Sequence, residues 1–369
     1  MKKIFYIDSA VNFGGGQKVI LGLINGFQEF VDITLLAPKG KLTEICRERF
    51  PKIKIIVLPR TFFFKKILEI RKAILREKPD IIHLHGTRSA FLGRFAVIGI
   101  KRNKKVIYTL HGFHLPRKRT LFKPVLLLGE RILNRWTDVL VCVSKADELL
   151  VRKYNLIDSK KIVVIPNGIK SFSKDLRKIN QKVTKIRRKL GINDQDTVLL
   201  YLGRIDPPKD VVTIIEALQI LNREGYNNIK LVIVGEGSQK RFLERKYNFL
   251  RNLLFWEGFQ KETIPYLFLA DIVVLSSQWE GCPLSLLEAG LAKKPVIGAD
   301  VDGIKEVIID GKNGFLFKMG SAQDLAEKIK ILAKTPSLRK NMGAMNFKLV
   351  SSRFSYQKMI ENYRRLYLN

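Results

Sequence analysis

The feature that most constrains this chain is a rhythm. Short runs of β-branched and aromatic residues alternate with longer amphipathic runs, and the series begins twice. In the first half the pattern predicts strands at Ile4–Ile7, Asp32–Leu36, Ile53–Leu58, Ile81–Leu84, Val106–Thr109, Val139–Val143 and Ile162–Ile165. Helical patterns fall between them at Lys18–Phe27, Phe64–Lys78 and Leu121–Arg135. The second series predicts strands at Val198–Leu202, Lys230–Val234, Leu253–Trp256, Ile272–Leu275, Val296–Gly298 and Phe315–Phe317. Its helices fall at Val211–Glu224, Leu284–Leu291 and Ala322–Ala333. Such alternation builds parallel sheets covered by helices, and 369 residues suit two domains better than one. The expected fold class is α/β: two doubly wound, Rossmann-like parallel-sheet domains facing across a cleft, with ligands at the carboxyl ends of the strands. The expected divisions are a first domain at 1–168, a polar, lysine-rich linker at 169–190 and a second domain at 191–350. A basic amphipathic helix at 351–369 is expected to pack back toward the first domain.

Composition excludes several classes. A 46% hydrophobic content is too high for disorder, and no apolar run approaches the ~20 residues of a spanning helix. Ile4–Ile7 meets Asp8 at once, which is too short for the apolar region of a signal peptide. Cys46, Cys142 and Cys282 are odd in number and widely spaced, so no disulfide framework is expected and a reducing cytoplasm fits. Charge is the unusual property. Residues 1–189 hold 42 basic and 14 acidic side chains, whereas residues 190–369 hold 25 and 20. Nearly all of the +33 excess therefore sits in one half, which points to an anionic partner for that half.

The most informative stretch is Glu280-Gly281-Cys282-Pro283-Leu284-Ser285-Leu286-Leu287-Glu288, which follows a buried strand and opens a helix. Pro283 suits a first helical turn, where its missing N–H costs nothing. Gly281 allows close backbone approach, and N–H groups near Leu284–Leu286 form an anion site. Glu288, one turn inside, is placed to accept from two neighbouring hydroxyls. A second stretch, Gly203-Arg204-Ile205-Asp206-Pro207-Pro208-Lys209, follows the strand Val198–Leu202 and places two cations at the carboxyl edge of the second sheet. Charge is needed there when a diphosphate leaves. Gly235 and Gly237 follow another strand. In the first half, Gly14-Gly15-Gly16 precedes a helix, but Val19 stands where a dinucleotide fingerprint needs glycine. His111 follows the strand Val106–Thr109.

Metal motifs are weaker. His83, His85, His111 and His114 cluster at two strand ends, but no carboxylate or thiol nearby in sequence completes a site. Asp194-Gln195-Asp196 and Asp300-Val301-Asp302 match Asp-x-Asp, yet each lies in a loop and the cations already serve a diphosphate.

In order and spacing these stretches resemble family 4 of the retaining GT-B glycosyltransferases, the group 1 class. The pair Glu280 and Glu288 is similar to that family's Glu–seven–Glu signature, Gly203-Arg204 with Lys209 to its phosphate turn, and Gly14-Gly15-Gly16-Gln17 to its N-terminal glycine loop. Val143-Ser144, Pro166-Asn167-Gly168, Pro295-Val296-Ile297 and Gly303-Ile304 with Glu306 fit its landmarks. The resemblance implies a sugar transferred from a nucleotide-diphosphate donor to a glycan or polyprenyl-diphosphate-linked acceptor, with retention and without metal or other cofactor. It implies that Arg204 and Lys209 grip the diphosphate, Glu288 the ribose, and Glu280 the donor sugar. The same resemblance implies that Gly281, Cys282, Pro283, Leu284 and Ser285 contact sugar and phosphate and that the base lies near Gly235, Glu257, Gly258 and Phe259. It implies further that Gly15, Gly16 and Gly203 line the donor and that His111 reaches its sugar from the first domain. The family often has glycine after the phosphate-binding lysine, where this chain has Asp210. Asp210 is placed to cap the coming helix, but a carboxylate near phosphate weakens the local field.

Two other readings compete. A sugar-nucleotide epimerase of the same architecture also binds such a donor, although the Glu280–Glu288 spacing favours transfer. A nucleic-acid-binding protein explains the charge but not the glycine and glutamate motifs, and no recognition signature accompanies it, so nucleic acid is not expected as a partner. Phe62-Phe63-Phe64-Lys65-Lys66 and Arg117-Lys118-Arg119 with Phe122 combine cations and bulky apolar groups. That composition suits an anionic membrane surface, and hence a peripheral protein on the inner face of the cytoplasmic membrane.

Overall fold

A computed structural model describes residues 1–59, 61–101, 103–113, 115, 122–172 and 175–368. His114, Arg117, Lys118 and Arg119 lie outside the described residues. The chain divides into two compact units, one of residues 1–168 with 356–369, the other of residues 169–355.

The first unit is a seven-stranded parallel sheet. Its strands are β1 (Lys3–Ile7), β2 (Asp32–Pro38), β3 (Lys54–Leu58), β4 (Ile81–His85), β5 (Lys105–Leu110), β6 (Val139–Cys142) and β7 (Ile162–Val164). They lie in the order β3-β2-β1-β4-β5-β6-β7. β1 and β4 are buried almost throughout, with His83 and His85 enclosed in β4, as expected of a parallel sheet covered on both faces. The order reverses between β1 and β4, so a crevice opens beyond their carboxyl ends.

The second unit repeats the plan with six strands. These are β8 (Thr197–Leu202), β9 (Ile229–Val234), β10 (Leu254–Gly258), β11 (Ile272–Leu275), β12 (Val296–Ala299) and β13 (Gly314–Phe317), ordered β10-β9-β8-β11-β12-β13. Here the reversal lies between β8 and β11. The predicted strands differ from these by a residue or two at their ends.

Three boundaries differ from the sequence reading. Residues 169–190 are no simple linker: they contain the helix Leu176–Lys189, which packs on the helix Ile264–Leu269 of the second unit. Charge hid it, because its apolar residues are few but all on one side. The expected division at 350/351 falls inside the helix Pro336–Arg353, and the unit boundary comes at Ser355/Tyr356. The helix expected over Leu121–Arg135 runs from Lys123 to Leu133.

The terminal helix Tyr356–Leu368 packs within the first unit beside the helix Gly15–Phe27. Its tyrosines reach buried polar groups of the sheet. The Tyr367 hydroxyl lies 2.7 Å from His83 Nδ1 and 3.1 Å from the Tyr6 hydroxyl, and Tyr363 lies 3.1 Å from Thr109 Oγ1.

Candidate active site

The turns beyond the carboxyl ends of β8 and β11 are joined by hydrogen bonds. Beyond β8 the chain makes a tight turn at Pro207–Lys209, and Asp210 then takes a left-handed conformation with φ of +49°. That conformation explains why glycine suits this position, and aspartate tolerates it better than most residues. The Asp210 carboxylate accepts from Thr213 Oγ1, three residues on in the helix that follows, at 2.7 Å. Ser276, just past β11, donates from its hydroxyl to the carbonyls of Lys209 and Asp210 at 3.0 and 2.7 Å. Gln278 N–H donates to the Pro208 carbonyl at 2.9 Å. The two turns therefore form one rigid edge.

Lys209 and Glu280 meet on that edge. Lys209 Nζ lies 2.5 Å from Glu280 Oε1, and Ser277 Oγ donates to the same oxygen at 2.7 Å. Both side chains are mostly buried, which strengthens the attraction relative to a surface pair. The sequence reading gave these residues separate ligand contacts, whereas the structure pairs them with each other. Arg204, half exposed, pairs with Asp206 at 2.8 Å. Asp206 in turn accepts from the Ser238 N–H and hydroxyl, both at 3.0 Å. Ser276 and Ser277 went unassigned in the sequence. Paired hydroxyls directly after a buried strand were the available signal.

Two glycines permit backbone contacts that any side chain would block. Gly235 has φ of +150°, and a Cβ there would lie 1.8 Å from the Gly203 carbonyl oxygen. The β8 and β9 ends are thus held edge to edge, with Gly203 N–H on the Val234 carbonyl. A Cβ on Gly303 would lie 2.2 Å from the Glu280 carbonyl oxygen, so the helix Asp302–Lys305 supports the Glu280–Gly281 loop directly. Gly258, at φ of +64°, ends β10 and accepts from Gly235 N–H, leaving Phe259 partly exposed beside it. Glu257 is held by Lys189 and by the Tyr266 hydroxyl.

The helix spans Leu284–Leu291, as the sequence pattern predicts. Pro283 precedes it with ψ of 114°, and its carbonyl accepts from Leu286 N–H at 3.2 Å. Cys282 is buried, Leu284 and Ser285 open the helix, and Glu288 is buried one turn inside. Asp300 pairs with Lys305 at 3.0 Å, Asp302 opens its own short helix, and Asp196 accepts from Asn193 N–H.

In the first unit, His111 follows β5. Burial lowers its pKa to about 4, so near neutrality the imidazole is uncharged. His85 Nδ1 lies 3.2 Å from His111 Nε2, and Gly16 packs against the His111 ring. His83 is committed on both nitrogens, to Tyr367 and Thr109.

The profile described as "Glycosyl transferases group 1" matches residues 182–348, and that described as "Glycosyltransferase Family 4" matches residues 13–171. The chain belongs to family 4, the group 1 glycosyltransferases. One similar family member is the UDP-Gal:alpha-D-GlcNAc-diphosphoundecaprenol alpha-1,3-galactosyltransferase of Escherichia coli. It is 28% identical, over all of this chain and 97% of its own. The capsular polysaccharide biosynthesis glycosyltransferase CapM of Staphylococcus aureus is 27% identical over 82% of this chain and 80% of its own. Anabaena HepE, solved with UDP-glucose, has a TM-score of 0.83 at 19% identity and 99% coverage of both chains. The fold is accordingly that of the GT-B glycosyltransferases. The protein is a glycosyltransferase.

Proposed function

We propose that this glycosyltransferase moves a hexosyl or N-acetylhexosaminyl unit from a nucleotide-diphosphate sugar to a polyprenyl-diphosphate-linked saccharide, with retention and without a metal. The carrying observation is the Lys209–Glu280 pair on the edge joining β8 and β11. In this reading Lys209 and Arg204 turn to the donor diphosphate and neutralise the charge that grows as the sugar–phosphate bond breaks. Glu280, released from Lys209, accepts from donor-sugar hydroxyls, and Glu288 accepts from the ribose. The N–H groups of the Gly281–Ser285 segment face the phosphates, Gly235, Gly258 and Phe259 bound the base, and Gly15, Gly16 and Gly203 line the donor. His111 contributes from the first unit as a neutral imidazole, a hydrogen-bonding group that adds no charge. The departing phosphate takes the acceptor proton on the face it leaves.

The acceptor side of the reading is supported by the surface of the first unit. The helices Phe63–Glu77 and Lys123–Leu133 both pack on the helix Thr87–Val97. Phe62 and Phe64 are 91% and 77% exposed at the start of one helix, and Phe122 and Val125 are 70% and 66% exposed at the start of the other. Lys65 and Lys66 lie among these residues. Apolar side chains framed by lysines suit an anionic leaflet, with the protein peripheral on the cytoplasmic face. Among the described residues no helix is long and apolar enough to cross a membrane.

A donor screen tests the reading. Release of each nucleoside diphosphate is measured with undecaprenyl-diphosphate saccharides, with and without EDTA. Acceptor-dependent release that survives EDTA is expected. Acceptor-independent interconversion of donor sugars would favour an epimerase, and rescue of EDTA-treated enzyme by Mn²⁺ would return Asp300 and Asp302 to the site.

A further inference from the structure

The crevice between β1 and β4 holds a buried carboxylate that the transfer chemistry does not use. Asp8, just past β1, is 3% exposed. Its Oδ2 accepts from Gln17 Nε2 at 2.8 Å, and its Oδ1 accepts from Ala10 N–H at 3.2 Å. Gln17 is buried too, and its Oε1 accepts from Gly14 N–H at 2.8 Å. This last bond is half of a capping box at the start of the helix Gly15–Phe27. A backbone N–H can only donate, so the Gln17 amide oxygen must face Gly14 and its NH2 must face Asp8. Asp8 therefore accepts on both oxygens, a role that suits the ionised carboxylate, which has no proton of its own to place.

The loop so fixed lies on His111. A Cβ on Gly16 would sit 3.3 Å from His111 Cδ2, and His85 holds the ring through Nε2. We propose that Asp8 is a positioning residue: through Gln17 it sets the Gly14–Gly16 loop against the His111 imidazole. Its consequence for sugar transfer rests on the function proposed above, whereas the placement itself does not. The groups that act on Asp8 agree with this. Burial raises its pKa to about 6, opposed by hydrogen bonds from Gln17 and from the Ala10 and Ser9 backbone, with no cation among them. From the neighbouring elements, the Leu36 carbonyl of β2 accepts from Asp8 N–H, and Ser89 of the helix Thr87–Val97 binds Ser9. A carboxylate kept there without a cation serves the neutral donors around it.

Exchanging the two functional groups tests this. Asp8→Asn leaves one donor without an acceptor, and Gln17→Glu sets two carboxylates face to face. The double variant D8N/Q17E restores every bond: the asparagine oxygen accepts from Ala10, its NH2 donates to Glu, and Glu accepts from Gly14. With only four histidines, the ring signals of the full-length protein are resolvable by NMR, and loss of one in His111→Gln assigns His111. Both single variants should move the His111 signal at pH 7.5 and lower UDP release from UDP-galactose at least tenfold. The double variant should bring both back. A His111 signal unmoved by D8N, or a double variant no closer to wild type than the singles, overturns the proposal. If the wild type releases no UDP from UDP-galactose, that sugar nucleotide is not its donor, and the NMR arm alone decides the placement.

Discussion

At the scale of single residues, the proposed function rests on the cations at the second unit's edge. Lys209→Ala and Arg204→Ala should each lower turnover by about 2–4 kcal/mol of transition-state stabilisation, the usual loss for one preorganised electrostatic donor. Lys209→Ala should also lower the urea midpoint, because Glu280 is then left mostly buried with the Ser277 hydroxyl beside it and no cation in place of Lys209. Adding Glu280→Gln should restore the midpoint but not the turnover. Full activity of both alanine variants would remove the diphosphate assignment. Acid stability is set by another group of residues. Burial holds His83, His85 and His111 below the ordinary histidine value of 6.5, so they contribute stability above that pH and lose it as pH falls. Asp8 has the opposite sign. Its pKa rises from 3.8 unfolded to about 6, so its contribution is complete below about 4 and is lost as pH rises through 6. Between pH 6 and pH 4 the unfolded chain thus holds protons on three histidines that the folded chain keeps largely neutral, while the folded chain holds one on Asp8 that the unfolded chain lacks. Each unmatched proton is worth about 1.4 kcal/mol per pH unit. Urea midpoints measured across this range should fall toward acid, and fall more steeply in Asp8→Asn, which lacks the compensating site. Parallel slopes for the two proteins would show that Asp8 does not titrate there.

At the scale of elements, the terminal helix Tyr356–Leu368 is held by polar groups that are expensive to leave unpaired. The Tyr367 hydroxyl serves both His83 and Tyr6, and all three side chains are fully buried. Tyr367→Phe should therefore cost about 1–3 kcal/mol, the penalty of an unsatisfied buried group, although it removes a single oxygen. Hydrogen exchange should show the loss in this helix and in β4, with the second unit unaffected. A loss below about 0.5 kcal/mol would mean that the helix is held by its apolar side chains alone. Elsewhere, elements are joined by the absence of side chains. Gly303 lets one short helix touch the Glu280–Gly281 backbone, so the loop that presents Glu280 is set by a residue more than twenty positions away.

At the scale of the whole molecule, the charge asymmetry is the property with an external consequence. The protein should co-sediment with vesicles containing anionic lipid and less with neutral ones. Raising salt should release it, because exposed charges are screened over about 8–10 Å near physiological ionic strength. Each Lys or Arg near the surface contributes on the order of 1 kcal/mol, so binding needs several together with apolar insertion. Replacing Lys65, Lys66, Arg117, Lys118 and Arg119 by glutamine, or Phe62, Phe64 and Val125 by serine, should each weaken sedimentation while leaving donor hydrolysis intact. Equal binding to both vesicle types, or binding to neither, would defeat the idea, and tight binding to duplex DNA would revive the nucleic-acid reading.

The sequence by itself determined the strands, because each is a short buried run whose β-branched residues are legible without any partner. It also determined the order of the glycine, cation and glutamate stretches, since strand–turn–helix boundaries fix which residues lie at a carboxyl edge. It misread the helix Leu176–Lys189, whose charge resembles a linker until the helix Ile264–Leu269 covers its few apolar groups. It did not disclose that Lys209 and Glu280 are partners, that Ser276 joins two turns 67 positions apart, or that Asp8 needs Gln17. Periodicity and spacing report how a residue relates to its near neighbours along the chain. Hydrogen bonds between side chains depend on which strands become adjacent, and the reversal of strand order between β1 and β4 and between β8 and β11 is set only when the whole sheet packs.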